Sequence, residues 1–367
     1  MFGFGKKRFI GIDIGTSGIK MVELKIDGNK PVLTNYAWAF VEGLVRDNDL
    51  KAAYFETVLP QYLKRMIKES KMTNANVCFS IPAFGGLITL IEFPKMDKND
   101  LDQAVRFEAH KYIPIALEEV VLSWDIINKQ ASIKTLLAQN SAAAGAVDNK
   151  TEKNDAERMQ VLLVAAPKNK VIRYERLASE IGRSLKTIEI ESFSLVRSLI
   201  GNDQGNFIII DIGARVCNII LVEKGIIKAN RNIDAGGKDI TKTIAKSMNI
   251  DAERADKLKV SGKNFLDSES NVSFPIVDLI IGEVARVLSS YYKGESKTAL
   301  DGIILSGGTA ALSGLDEYFS RALNVKTTVG NPLSRIEYDK KLETRVREIG
   351  GQFSVAIGLA LSGIEDH

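Results

Sequence analysis

Twice in this chain, half its length apart, an apolar strand ends in Asp-Ile-Gly and turns straight into a second strand. The first copy is Ile10-Gly11-Ile12-Asp13-Ile14-Gly15, with Ile19 to Leu24 returning; the second is Ile208-Ile209-Ile210-Asp211-Ile212-Gly213, with Val216 to Val222 returning. A repeat at that separation implies two lobes of like topology, and 367 residues suffice for two cores. Glycine at the turn removes the Cβ, so backbone N–H groups can point at a phosphate. In the first copy Gly15, Thr16 and Ser17 would supply such donors, and Lys20 on the return strand a compact positive charge. Asp13 and Asp211 would hold a Mg²⁺ from opposite lobes through water, as hard cations beside phosphates prefer. Gly213 and Ala214 would open the second phosphate loop. Neither copy is a G-x-x-x-x-G-K-[ST] loop, and neither is a dinucleotide turn, because a strand and not a helix follows. An ordinary glycine hairpin remains the plain alternative for either copy taken alone.

A third glycine site follows. Ile303-Ile304-Leu305 ends in Ser306-Gly307-Gly308-Thr309 before a helix read over Leu312 to Leu323. Gly307, Gly308 and Thr309 would let a flat base lie on backbone at a helix N-terminus, and a ligand-free tight turn is the alternative. Composition excludes several other chemistries. The two histidines, His110 and His367, cannot build a multi-histidine metal site, and Cys78 and Cys217 sit in apolar runs as buried thiols. A net charge of +3 gives no field for nucleic acid. No window is apolar enough for a membrane span, and the start of the chain lacks a signal-peptide core, so a cytoplasmic protein is expected. Phe2, Phe4, Lys6, Lys7 and Arg8 could touch a membrane weakly or simply fray.

Periodicity places the remaining elements. Helices are expected over Asp49 to Ser70, Leu101 to Tyr112 (stopped by Pro114), Lys170 to Gly182, Ser192 to Ile200, Ala252 to Leu258, Pro275 to Tyr292 and Gly351 to Leu361. Strands are expected over Val77 to Ile81, Gly86 to Phe93, Val120 to Ile127, Val161 to Ala166, Thr187 to Ile190 and Gly302 to Leu305. Residues 132–158, rich in Ala, Asn, Ser and Lys without a period, read as a disordered loop.

The order clamp, clamp, base platform resembles the actin/Hsp70/hexokinase superfamily over nearly the whole chain. That likeness implies an α/β, actin-like (ribonuclease H-like) two-lobed nucleotide-binding fold with ATP and Mg²⁺ as cofactors. It further implies that Asp256 and Lys257 lie near the ribose, and that Glu191 stands where such ATPases orient water; a Glu there also serves as a helix N-terminal charge. Cys217 stands where many members have threonine, and Arg215 reads as an exposed turn residue. At most slow ATP hydrolysis is expected. A narrower likeness rests on Ile81-Pro82-Ala83, Phe93-Pro94-Lys95-Met96, Phe107-Glu108-Ala109-His110-Lys111-Tyr112-Ile113-Pro114, Glu118-Glu119-Val120-Val121 with Trp124, the Ala235 to Thr241 segment that includes Gly237, and Asn331-Pro332. These resemble the type IV pilus assembly PilM family, itself similar to the division protein FtsA.

That resemblance implies an FtsA-type inserted small subdomain at 77–165, a first lobe of 1–76, 166–199 and 340–367, and a second lobe of 200–339. It also implies an ATP-binding scaffold, recruited to the inner face of the cytoplasmic membrane, that binds the amino-terminal cytoplasmic peptide of PilN, with other pilus platform proteins as further partners. Membrane contact would come only through the partner. The expected groove lies beside the small subdomain, whose Phe79, Ile81, Phe84, Leu87, Ile88, Leu90 and Phe93 suit protein contact. Two other readings stay open: a small-molecule kinase of the hexokinase/acetate-kinase branch, and an FtsA-like filament-forming division protein. The acidic end, Glu365 and Asp366, lacks the basic helix of the latter.

Overall fold

The computed structural model describes residues 7–41, 54–72, 75–127, 158–267, 270, 272–293 and 299–365. The strands are β1 (Arg8–Ile14), β2 (Gly18–Asp27), β3 (Lys30–Phe40), β4 (Asn76–Ile81), β5 (Leu87–Pro94), β6 (Val120–Ile127), β7 (Arg158–Pro167), β8 (Leu185–Ile190), β9 (Asn206–Ile212), β10 (Cys217–Glu223), β11 (Ile226–Ile233), β12 (Gly302–Ser306) and β13 (Thr327–Val329). The helices are α1 (Leu59–Glu69), α2 (Lys98–Ala109), α3 (Lys168–Glu180), α4 (Glu191–Leu199), α5 (Gly237–Met248), α6 (Ala252–Lys259), α7 (Pro275–Lys293), α8 (Leu315–Leu323), α9 (Glu343–Ile349) and α10 (Ser354–Glu365).

The repeat seen in the sequence is a repeat of topology. One sheet runs β3-β2-β1-β4-β8 and the other β11-β10-β9-β12-β13. In each, the first three strands are antiparallel and the last two run parallel to the central one. The strands β1 and β9 are near-continuous apolar runs because helices cover both faces. On the outer face of the first sheet, Leu59, Leu63, Tyr174 and Leu177 from α1 and α3 meet Ile10, Ile12, Ile19 and Met21. On the outer face of the second, Ile240, Ile244, Val277, Ile280 and Phe319 meet Ile208, Ile210 and Ile219. Between the sheets lie α4 and α10: Phe193, Val196, Val355 and Leu359 pack with Ile209, Ile220 and Val222. Helix α10 is buried over nearly its whole length, as a helix apolar all round has to be.

Between β4 and α3 the chain builds a third sheet, β5-β7-β6, antiparallel throughout. Helix α2 covers one face through Leu101, Val105 and Ala109. It starts three residues before the expected Leu101, because Asp97 caps it by accepting from the amides of Asn99 and Asp100, both at 2.9 Å. It ends at Ala109, and tight turns (the amide of Tyr112 on the carbonyl of Ala109) carry the chain to Pro114.

Three expectations need correction here. The strand opening the expected inserted segment, Asn76–Ile81, pairs inside the first sheet between β1 and β8. Phe79 and Ile81 are therefore first-lobe core, Phe93 is core of the third sheet, and of the seven apolar residues expected at a contact surface only Phe84 is strongly exposed. Leu333 and Ile336 already pack with Val22 and Leu24, so the chain returns to the first lobe before 339.

The expected loop over 132–158 lies outside the described residues except Arg158, which begins β7 and pairs with Glu92. The strands it joins are register neighbours, Ile127 opposite Gln160. Loop-closure entropy grows slowly with length, so replacing 132–157 by a short turn is expected to change stability by no more than about 2 kcal/mol. Thermal melting checks this, and a large drop in melting temperature refutes it.

Candidate functional site

Strand order brings the ends of β1, β9 and β12 together around the gap between the lobes. In the first hairpin the Gly15 amide donates to the Gly18 carbonyl at 3.0 Å, which closes the turn. Among the described residues no backbone carbonyl takes the amides of Thr16 and Ser17. The second hairpin repeats this geometry, with the Gly213 amide on the Val216 carbonyl at 3.0 Å. Arg215 turns outward and pairs with Asp234 at 3.0 Å, as an exposed turn residue would.

Four ionisable side chains share the gap. Lys20 donates to Asp13 Oδ2 at 3.1 Å, and its register position on β2 is directly opposite Asp13. Burial alone would lower the Lys20 pKa, but Asp13, Asp211 and Glu191 outweigh it, and the net shift is upward. Burial pushes Asp211 up to about 6, against the Ser306 hydroxyl and Lys20, which favour its charge. Burial also lifts Glu191 to about 8, with Asp211 and Asp13 adding to the shift; the Ala83 amide, donating to Oε1 at 3.0 Å, and Lys20 oppose it. Near neutral pH the gap thus holds the Lys20 ammonium, an Asp211 carboxyl group that is mostly ionised and a Glu191 carboxyl group that is mostly protonated. Among the described residues no three His, Cys, Asp or Glu side chains close on a common metal position. A cation would have to take most of its ligands from water and phosphate, which suits Mg²⁺.

The glycines of the third site act mainly as close-approach points. Gly307 has φ +85°, and a Cβ there would lie 2.5 Å from the Ile212 carbonyl oxygen. Its amide donates to the Gly351 carbonyl at 3.2 Å, ahead of α10. Gly308 is exposed, with open space where a Cβ would be. At Gly237 the amide donates to the Gly213 carbonyl at 2.9 Å, and a Cβ would meet Thr309 Oγ1. The Gly237 amide thus ties α5 to the turn of the second hairpin and is already spent, with Thr309 packed close against it.

Asp256 accepts from Thr241 at 2.9 Å and from Lys259 at 2.7 Å, and Lys259 also reaches the Gly237 carbonyl at 3.4 Å. Lys257 is not there: its ammonium is exposed and pairs with Glu253 at 2.7 Å. Lys259, and not Lys257, is the lysine that stands beside Asp256. Sequence reading also passed over Ser306 as a site residue, although it stands in register beside Asp211 and lies 3.0 Å from Ser354 Oγ. Tyr174, whose phenol is pushed up by burial and by Glu191 and Asp13, was likewise missed.

A second concavity lies away from the gap. Among the described residues the sheet order leaves β6 and β8 each with one unpaired edge. Both border a cavity of about 100 Å³ lined by Ser123, Trp124 and Asp125 of β6, Leu162 and Val164 of β7, Thr187 to Ile190 of β8, and Phe193 of α4. Among the described residues no helix is long and apolar enough to cross a membrane.

Comparison with known proteins supports the same frame. A structure described as the PilM-PilN type IV pilus biogenesis complex superposes with a TM-score of 0.77 at 25% identity, covering 99% of both chains. The ethanolamine utilization protein EutJ from Carboxydothermus hydrogenoformans superposes at 0.54 and 17% identity, covering 98% of this chain and 90% of its own, a likeness of fold alone. The family model for type IV pilus assembly protein PilM matches residues 11–149 and 146–364, nearly the entire length, and the chain belongs to that family.

Proposed function

We propose that this chain is a nucleotide-binding scaffold of the type IV pilus assembly machinery. It holds ATP with Mg²⁺ between its lobes and the amino-terminal cytoplasmic peptide of PilN in the groove between the third sheet and the first lobe. The single observation that carries the reading is the convergence of two strand edges, β6 and β8, open among the described residues, on one partly apolar cavity. An extended peptide can add to such an edge through its backbone. The cavity has room for about one side-chain tip, so a single apolar anchor would supply most of the affinity. Recruitment to the inner face of the cytoplasmic membrane would follow from the partner. Residues 87–167 would form the inserted subdomain, with the first lobe completed by the carboxyl-terminal segment.

On the nucleotide side, Thr16, Ser17 and Ala214 would offer amides, Lys20 a charge, and Gly308 open backbone for the base. Asp13 and Asp211 would hold Mg²⁺ through water, and bound Mg²⁺ would neutralise phosphate charge. Asp256 and Lys259 would border the ribose. Glu191, mostly protonated near neutral pH, is a weak base, so turnover would be slow at most. The partly apolar groove favours a scaffold over a small-molecule kinase.

The test is a titration of a labelled peptide of the first residues of PilN, by fluorescence polarisation, with and without ATP and Mg²⁺. Saturable binding abolished by Ile190→Asp is expected. No saturable binding in either condition removes the scaffold reading. Binding indifferent to nucleotide keeps the scaffold and discards coupling between the sites.

A further inference from the structure

Side chains along β6 alternate between two sides. Val120, Leu122, Trp124 and Ile126 pack with α2 and with Val161 and Leu163. Ser123 and Asp125 turn to the other side, where their register partners are Val164 and Leu162. That side is apolar, because Leu162, Val164 and Ile127 pack into the central core between the lobes. Asp125 thus brings a carboxyl group to an apolar wall of the groove. Its Oδ1 accepts the amide of Ile126 at 2.8 Å, and among the described residues no lysine or arginine comes within ion-pair distance of it. Burial raises its pKa, against the Ile126 amide and the more distant Lys98. The acid on the facing wall is already compensated: Glu189 is held by Arg197 at 2.6 and 3.0 Å. Among the described residues Asp125 is therefore the groove acid with no cation beside it.

Resting on the peptide-scaffold reading above, we propose that the groove selects its peptide by a lysine or arginine side chain standing directly opposite Asp125, in an extended segment paired to the open edge of β6. Directly opposed residues on neighbouring strands put their Cβ atoms about 4.5–5.5 Å apart on the same side of the sheet, within easy reach of either basic side chain. The apolar stem would lie along Leu162 and Val164 while the charged head meets the carboxylate. The peptide's own ammonium terminus fits less well. β6 continues on both sides of Asp125, from Val120 to Ile127, so a strand spanning that edge presents a mid-segment side chain there. Residues two positions to either side fall opposite Ser123 and Ile127, where apolar side chains suit the wall.

The test is a double-mutant cycle by fluorescence polarisation on the full chain. Each lysine or arginine of the PilN amino-terminal peptide is replaced in turn by norleucine and titrated against wild type and Asp125→Asn. One replacement is expected to weaken binding to wild type about tenfold and binding to the variant less than about twofold. Asp125→Lys should regain affinity for a peptide carrying glutamate at that one position. Equal losses against wild type and Asp125→Asn, or no loss at any basic position, overturn the inference while leaving peptide binding in place. No saturable binding to wild type overturns the groove reading, and this inference with it. Unchanged thermal melting of Asp125→Asn confirms that the variant is folded.

Discussion

Arg197→Ala is expected to destabilise the protein by about 3–5 kcal/mol, more than any change at an exposed ion pair. Arg197 and Glu189 have side chains only 2% and 3% exposed. The guanidinium binds both oxygens of Glu189, the carbonyl of Gly358 at 3.1 Å and Glu365 at 3.1 Å. One side chain thus ties β8, which borders the cavity, to the middle and the last residue of α10. Burial opposes the charge on Arg197, but Glu189 and Glu365 more than offset it. Truncation leaves the Glu189 carboxylate buried without its cation, and that uncompensated charge, rather than lost packing, dominates the cost. The pair as a whole is worth much less, so the double variant Arg197→Met with Glu189→Leu should recover most of the loss. Urea unfolding of the three proteins decides it. A single variant that loses less than about 1 kcal/mol, the range of exposed pairs, would show that the pair is not buried as described.

The two Asp-Ile-Gly hairpins were legible because their apolar runs end at glycine and turn with no helical period. The strands beside them were not. β3 begins Lys30-Pro31 and contains Thr34 and Asn35, and β11 reads Ile-Ile-Lys-Ala-Asn-Arg-Asn-Ile. Each sits at a sheet edge with one covered side, so the alternation that marks a strand is diluted by polar residues facing out. β13 has three residues, too few for any period. Which lysine stands beside Asp256 is a matter of helical phase. Two residues along a helix turn the side chain by about 200°, so Lys257 and Lys259 face nearly opposite ways. A pattern quoted by position rather than by face could not separate them. The groove was legible as an expectation but not as residues. Its walls come from three strands and a helix spread over residues 123 to 193, and only sheet order shows which edges stay open among the described residues.

Glu191 lies where the two sites come nearest in sequence. Its neighbours Glu189 and Ile190 line the groove, its own carboxyl group faces Asp13, Lys20 and Asp211, and it accepts the amide of Ala83, where the chain leaves β4 for the third sheet. Any influence of nucleotide on peptide affinity would have to be felt as a difference between two arrangements of this junction. A rigid junction would leave the sites independent.

Lys20→Gln is expected to weaken ATP binding at least about 100-fold, the scale set by removing one member of a close, partly desolvated charge pair. Lys20 is the cation that the structure places among Asp13, Asp211 and Glu191. Without it the gap presents two carboxylates to an incoming triphosphate. Mg²⁺ could screen them only by giving up charge it would otherwise lend to the phosphates. The same change removes the group that opposes the upward shifts at Asp211 and Glu191, so both acids should take up protons more readily. The affinity loss should therefore be larger at pH 8 than at pH 6, where protonation of Asp211 relieves part of the repulsion. Asp13→Ala should weaken binding less, and mainly when Mg²⁺ is present, because it removes a water-mediated metal contact and not a phosphate contact. Calorimetric titration of the wild type and both variants, with Mg²⁺ and with EDTA, separates these cases. Equal affinity of wild type and Lys20→Gln would place the triphosphate elsewhere. An Asp13→Ala loss of the same size in EDTA would mean that Asp13 acts by holding Lys20 in position and not through a metal.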